Sequence, residues 1–177
     1  QEAIDKYDNI YVPQGWYRIT ETLKMKPDTK LIGLHPFGTQ FRLDESTAAF
    51  SGFGGPKAMV ESSEGGANML MGIGINTGGY NYRAVGVKWM ANADSYMNDV
   101  KFVGGHGGLW KPKPGVEEPR GRWNRPARIS SPDNPVAASG MDLAWDNQYW
   151  SLWVTNNGGG TFKDIWTAST YATNGFY

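Results

Sequence analysis

The chain contains no cysteine, so neither a disulfide nor a thiolate metal site exists in it. That absence is compatible with either redox compartment. It also lacks an excess of charge: 17 Lys plus Arg face 17 Asp plus Glu, giving a net charge of zero. Such a balance argues against a nucleic-acid binder that works by bulk electrostatics. No apolar run is long enough to span a bilayer, and no stretch has the pattern of a signal peptide. Helical periodicity is nearly missing, because no window of a dozen residues carries an i, i+3, i+4, i+7 stripe free of Gly or Pro. Only two histidines are present, and no Asp-x-Asp-x-Asn-Gly loop occurs, so no metal constellation and no cofactor is expected. Gly158–Gly160 lead into another strand-like run rather than a helix, which excludes a phosphate-cradling loop.

What the sequence has instead is glycine, 24 residues of it, and aromatics: 8 Trp, 9 Tyr and 7 Phe. Short β-like runs recur along the 177 residues, most of them followed by Gly, Asn, Asp or Pro. They are Ile10–Val12, Tyr17–Ile19, Leu23–Met25, Lys30–Leu34, Gln40–Leu43, Ala58–Val60, Met69–Ile75, Ala84–Met90, Asp99–Val103, Ser151–Val154 and Phe162–Trp166. Asn174-Gly175 is one of few hairpin dipeptides near strong strands, so an antiparallel sandwich is the weaker alternative. Strand-plus-glycine units return at roughly 20–30 residue intervals, the range of solenoid coils. The expected fold is therefore all-β, a right-handed parallel β-helix over residues 1–177 with one long proline-rich loop insertion at about 105–140. In "SLWVTNNGGGTFKDIWT" (151–167), Asn156 or Asn157 is expected to take a left-handed corner and the glycines to permit close backbone approach.

A resemblance supports the same architecture. "IYVPQGWYRITETLKMKPDTKLIGLHPFGTQFRLDE" (10–45) resembles the opening coils of the pectate-lyase-superfamily β-helix, with a "VP-G-Y" corner and a "P-x-T-x-L-x-G" step. "AVGVKWMANADSYMNDVKFVGG" (84–105) resembles a later coil, and "LWVTNNGGGTFKDIWTASTYA" (152–172) is similar to a segment of proteins related to glycoside hydrolase family 55. Together these stretches cover about half the chain. The resemblance implies two side-by-side β-helices with the active site between them and a glutamate acid in the second. The chain matches part of the first, so it is expected to belong to a longer protein and to pack on a further β-helix of the same polypeptide. The first residue, Gln1 rather than Met, points the same way.

The insertion supplies most of the chemistry-bearing candidates. Trp110 and Trp123 anchor it, and Arg120, Arg122, Arg125 and Arg128 crowd together. The arginines suit carboxylates, sulfates or dense hydroxyls; local pairing with Glu117 and Glu118 is the alternative. His106 sits among four glycines and faintly resembles the Gly-His-Gly of polygalacturonase-type β-helix enzymes, but the paired aspartates of those enzymes are missing. A loop histidine with no task is the favoured reading.

Glycoside hydrolysis needs two carboxyl groups across the scissile bond, one to protonate the leaving group and one to activate water or attack. The weak catalytic candidates are Asp142, Asp146 and Glu118. Asp142 and Asp146 lie in "MDLAWDNQYWSLW" (141–153) among aromatics that suit the C–H faces of sugar rings. Substrate-binding candidates are His106, Trp110, Trp123, Arg125, Trp145, Gln148, Trp150 and Asn156. Turn-capping aspartates and tryptophans that merely cover the β-helix side are the alternative. The expected function is a bacterial carbohydrate-active protein, a glycoside hydrolase or a segment of one, acting on a β-glucan-type polysaccharide with inversion. Two alternatives stay open: a lyase on a uronate glycan, in which arginine or calcium would neutralise the acid, and a non-catalytic, tailspike-like or adhesin-like glycan binder. The expected partner is a polysaccharide or oligosaccharide, with no nucleic acid and no membrane span, and the expected location is secreted, periplasmic or cell-surface.

Overall fold

The computed structural model describes residues 1–44, 46–52, 54–78, 81–104, 149–167 and 175–177. A short helix, α1 (Glu2–Lys6), opens the chain and buries Ile4. Fourteen strands follow: β1 (Asn9–Val12), β2 (Gly15–Arg18), β3 (Leu23–Lys24), β4 (Lys30–Gly33), β5 (Thr39–Arg42), β6 (Lys57–Glu61), β7 (Met69–Met71), β8 (Gly74–Asn76), β9 (Ala84–Trp89), β10 (Tyr96–Asn98), β11 (Lys101–Gly104), β12 (Leu152–Val154), β13 (Thr161–Lys163) and β14 (Trp166–Thr167). The fold is all-β, and every pairing between these strands is parallel.

Each strand pairs with the one three places on. The first sheet has the order β1-β4-β7-β10-β13, the second runs β2 to β14 in the same steps, and the third has β3, β6, β9 and β12. Asn9 pairs with Lys30, Lys30 with Met69, Met69 with Tyr96 and Tyr96 with Thr161, so register returns after very unequal stretches of chain. Each set of three consecutive strands is one tier.

Alternation within the strands decides what is inside. In the first sheet Ile10, Leu31, Leu70, Met97 and Phe162 form one column, and Leu31, Leu70 and Met97 are fully or almost fully buried. Tyr17, Phe41, Ile75 and Phe102 form the matching column of the second sheet, and Leu23, Val60, Val87 and Leu152 that of the third. These columns meet in one core. Each fully buried side chain of this size contributes about 1.5–3 kcal/mol.

The corners differ in character. Between the first and second sheets, tiers 3 to 5 turn in two residues: Gly72-Ile73, Asp99-Val100 and Asp164-Ile165. The first of each pair has positive φ (65°, 49° and 52°), and the second points into the core. This corner corrects three of the expected strands. Met69–Ile75 and Phe162–Trp166 each divide into two strands, and Asp99–Val103 begins with corner residues while β10 precedes it. The apolar residue in second place keeps the sequence strand-like straight through the turn.

Between the third and first sheets a column of buried polar groups replaces apolar filling. Thr29, Asn68 and Ser95 stand just before β4, β7 and β10, and all three are buried. The Asn68 amide donates to the Lys26 carbonyl at 2.7 Å, and its oxygen accepts from the Ser63 N–H at 2.8 Å. Its own N–H donates to Ser95 Oγ, so one side chain and its backbone tie three tiers together. Asn68→Ala is expected to lower unfolding free energy by about 1–3 kcal/mol, because it strands a half-buried donor and a half-buried acceptor. Equilibrium urea denaturation measures this.

The opened corner in "SLWVTNNGGGTFKDIWT" lies on this same side. Both Asn156 and Asn157 are left-handed, with φ of 52° and 58°, and Gly158 lies so close to the Trp89 carbonyl that no Cβ fits.

Candidate functional site

The stretches of chain between strands vary most in length from the second sheet to the third. They comprise residues 19–22 in tier 1, 43–56 in tier 2, 77–83 in tier 3 and 105–151 in tier 4. Insertions confined to one edge of a repeat are commonly its binding edge. The expected insertion, 105–140, lies outside the described residues; along the chain it falls between β11 and β12.

The chain becomes describable again at Tyr149, and there an aromatic cluster begins. The Tyr149 hydroxyl donates to the Gly54 carbonyl at 3.0 Å, tying tier 4 to the tier 2 loop. Trp150 stacks on Tyr177 with centroids 4.3 Å apart and planes 15° from parallel. It is tilted against Trp153 at 5.3 Å and against Tyr149 at 5.7 Å. Trp150 and Trp153 are half-buried, while Tyr177 is exposed.

Trp153 also continues an outward row of the third sheet: Lys24, Glu61, Lys88 and Trp153 stand in register on successive strands. The Lys88 ammonium lies 5.3 Å from the Trp153 ring centroid and 3.9 Å from a Glu61 carboxylate oxygen. Glu61 is two strands from Trp153, about 9–10 Å at the usual strand spacing. Beside this row, Lys57 pairs with Glu21 at 2.6 Å and lies over the Phe50 ring. The face thus offers indole and phenol rings, a cation and carboxylates to a ligand lying along it.

The expected site residues divide unevenly. Asp142, Asp146, Glu118, His106, Trp110, Trp123, Arg125, Trp145 and Gln148 lie outside the described residues. Trp150 is in the cluster. Asn156 is not: it follows β12 whereas Trp150 precedes it, so the strand holds them at opposite ends, and the Asn156 amide lies 3.6 Å from Met90 Sδ. Glu61 and Lys88 escaped the sequence reading. Their signal was a charged residue closing each buried apolar run, "KAMVE" and "AVGVKW", but their neighbourhood with Trp153 exists only through the register.

Among the described residues no three His, Asp or Glu side chains converge as metal ligands, and no helix is long and apolar enough to cross a membrane. No family model, curated protein or solved structure matches the chain.

Proposed function

We propose that the three-sheet repeat is a right-handed parallel β-helix of the pectate-lyase-superfamily kind, and that the protein is a carbohydrate-active enzyme hydrolysing a β-glucan-type polysaccharide with inversion. The strand order with its constant step of three supports the architecture. Parallel strands joined by a crossover connect right-handedly in nearly all proteins, which supplies the hand. The reading places the protein outside the cytoplasm or on the cell surface, packed against a further β-helix of the same polypeptide.

The observation that carries the functional reading is the cluster of Tyr149, Trp150, Trp153 and Tyr177. Indole and phenol rings stack on the C–H faces of pyranoses, and Glu61 and Lys88 in the same row suit sugar hydroxyls. Hydrolysis itself rests on the family resemblance, since fold alone does not fix chemistry.

The test uses the whole protein and a soluble β-glucan. New reducing ends that first appear as the α-anomer support inverting hydrolysis. Unsaturated, ultraviolet-absorbing products from a uronate glycan would replace this reading with a lyase, and binding without turnover would replace it with a binding protein. Trp153→Ala is expected to weaken glucan binding about tenfold, the effect of one stacked ring worth ~1.4 kcal/mol. Isothermal titration measures it, and an unchanged affinity would remove this face from the site.

A further inference from the structure

We infer that Trp16, Arg18, Arg42 and Asp44 form a separate subsite for an acidic sugar residue, on the outer face of the second sheet. Trp16 is 70% exposed, an unusual state for the largest apolar side chain. It faces outward because its neighbour Tyr17 joins the core column and meets Phe41 edge-on. Arg18 and Arg42 stand in register on β2 and β5, which puts both on this same face.

The Arg42 guanidinium lies 4.3 Å from the Trp16 ring centroid. This cation–π contact orients the indole, most of whose surface stays exposed. Among the described residues Arg42 has no carboxylate partner. The neighbouring Arg18 does: its Nε lies 2.6 Å from Asp44 Oδ2, in a pair whose side chains are 72% and 60% exposed. Asp44 opens the tier 2 loop, so the cluster adjoins the edge that carries the long loops.

These groups select an anionic saccharide. A guanidinium fork with no carboxylate partner among the described residues suits a planar carboxylate or a sulfate. The exposed indole suits the C–H face of a pyranose, and Asp44 accepts from ring hydroxyls. The inference rests on this cluster alone and is independent of the proposed hydrolysis.

The experiment titrates the whole protein with polygalacturonate, with a sulfated glucan and with a neutral β-glucan. Tighter binding of polygalacturonate identifies a uronate, and tighter binding of the sulfated chain identifies a sulfate ester. Arg42→Gln and Trp16→Ala are each expected to weaken the preferred acidic glycan about tenfold, the size of one charge-assisted contact. Arg42→Lys is expected to fall between, since it keeps the charge and loses the fork. An unchanged melting temperature in all three variants confirms that the fold is intact. Three results would overturn the inference: no acidic glycan binding by the parent protein, unchanged affinity in Arg42→Gln and Trp16→Ala, or an equal loss toward the neutral glucan. Loss of self-association in Trp16→Ala, read by sedimentation, would also overturn it by making the face a contact between copies.

Discussion

Trp89→Ala is expected to lower the unfolding free energy by about 3–5 kcal/mol, the range for deleting a fully buried aromatic. Trp89 has no exposed surface and packs edge-on against Phe162 of tier 5, two tiers on. Its Nε1–H donates to the Gly159 carbonyl at 2.9 Å, which holds the corner at 155–160 onto tier 3. The Gly159 N–H in turn donates to the Ala91 carbonyl. The substitution therefore opens a cavity and strands a carbonyl at once. Trp89→Phe separates the two effects: it keeps most of the volume and loses the donor, so about 1–2 kcal/mol is expected. In a repeat whose tiers touch mainly their neighbours, the damage should stay local. Hydrogen exchange is expected to show faster opening in β12 and β13, while amides of β4 keep their protection. Uniform loss of protection across all tiers would contradict this.

Gly72→Ala is expected to destabilise by about 3 kcal/mol or more, through two separable causes. Gly72 has φ of 65°, which costs an L-residue roughly 1–2 kcal/mol. A Cβ there would also collide with the Gly33 carbonyl of the tier below, and a Cβ on Gly33 would collide with the Gly72 carbonyl in return. The corresponding corner residues Asp99 and Asp164 hold the same left-handed conformation with side chains, so the conformation itself is tolerated by a short polar residue. Gly72→Asn accordingly relieves much of the backbone strain and none of the collision. It should remain well below the parent protein in a urea titration. Recovery of full stability by Gly72→Asn would show that conformation, not the approach of two backbones, sets the requirement.

How much of this was legible beforehand depends on the range of the signal. β4 was readable because "TKLIG" combines a polar start, an inward Leu31 and a glycine stop within a few residues. The left-handed pair at Asn156 and Asn157 was readable for the same local reason. The two-residue corner was not, although "MGIG", "NDVK" and "KDIW" repeat it: a turn residue followed by a core residue does not interrupt an apolar run. α1 was too short to show a helical period. The site suffered more. Candidates were gathered by closeness in sequence to the insertion, whereas the row of Lys24, Glu61, Lys88 and Trp153 draws on four tiers. The unequal lengths of chain between tiers hide such rows, as they hide the meeting of Trp16 with Arg42.

The contrast between corners has a practical consequence for protein engineering. The bend between the first and second sheets takes only two residues in tiers 3 to 5, whereas the segments joining the second sheet to the third differ greatly in length and the strands on either side still pair in parallel, with one register shift between Phe102 and Gly104. Closing a longer segment adds little entropy cost, since the penalty grows only logarithmically. Foreign peptides spliced between Asn76 and Ala84 would thus be displayed from a rigid spine, and several such grafts in adjacent layers would project in parallel, one strand spacing apart.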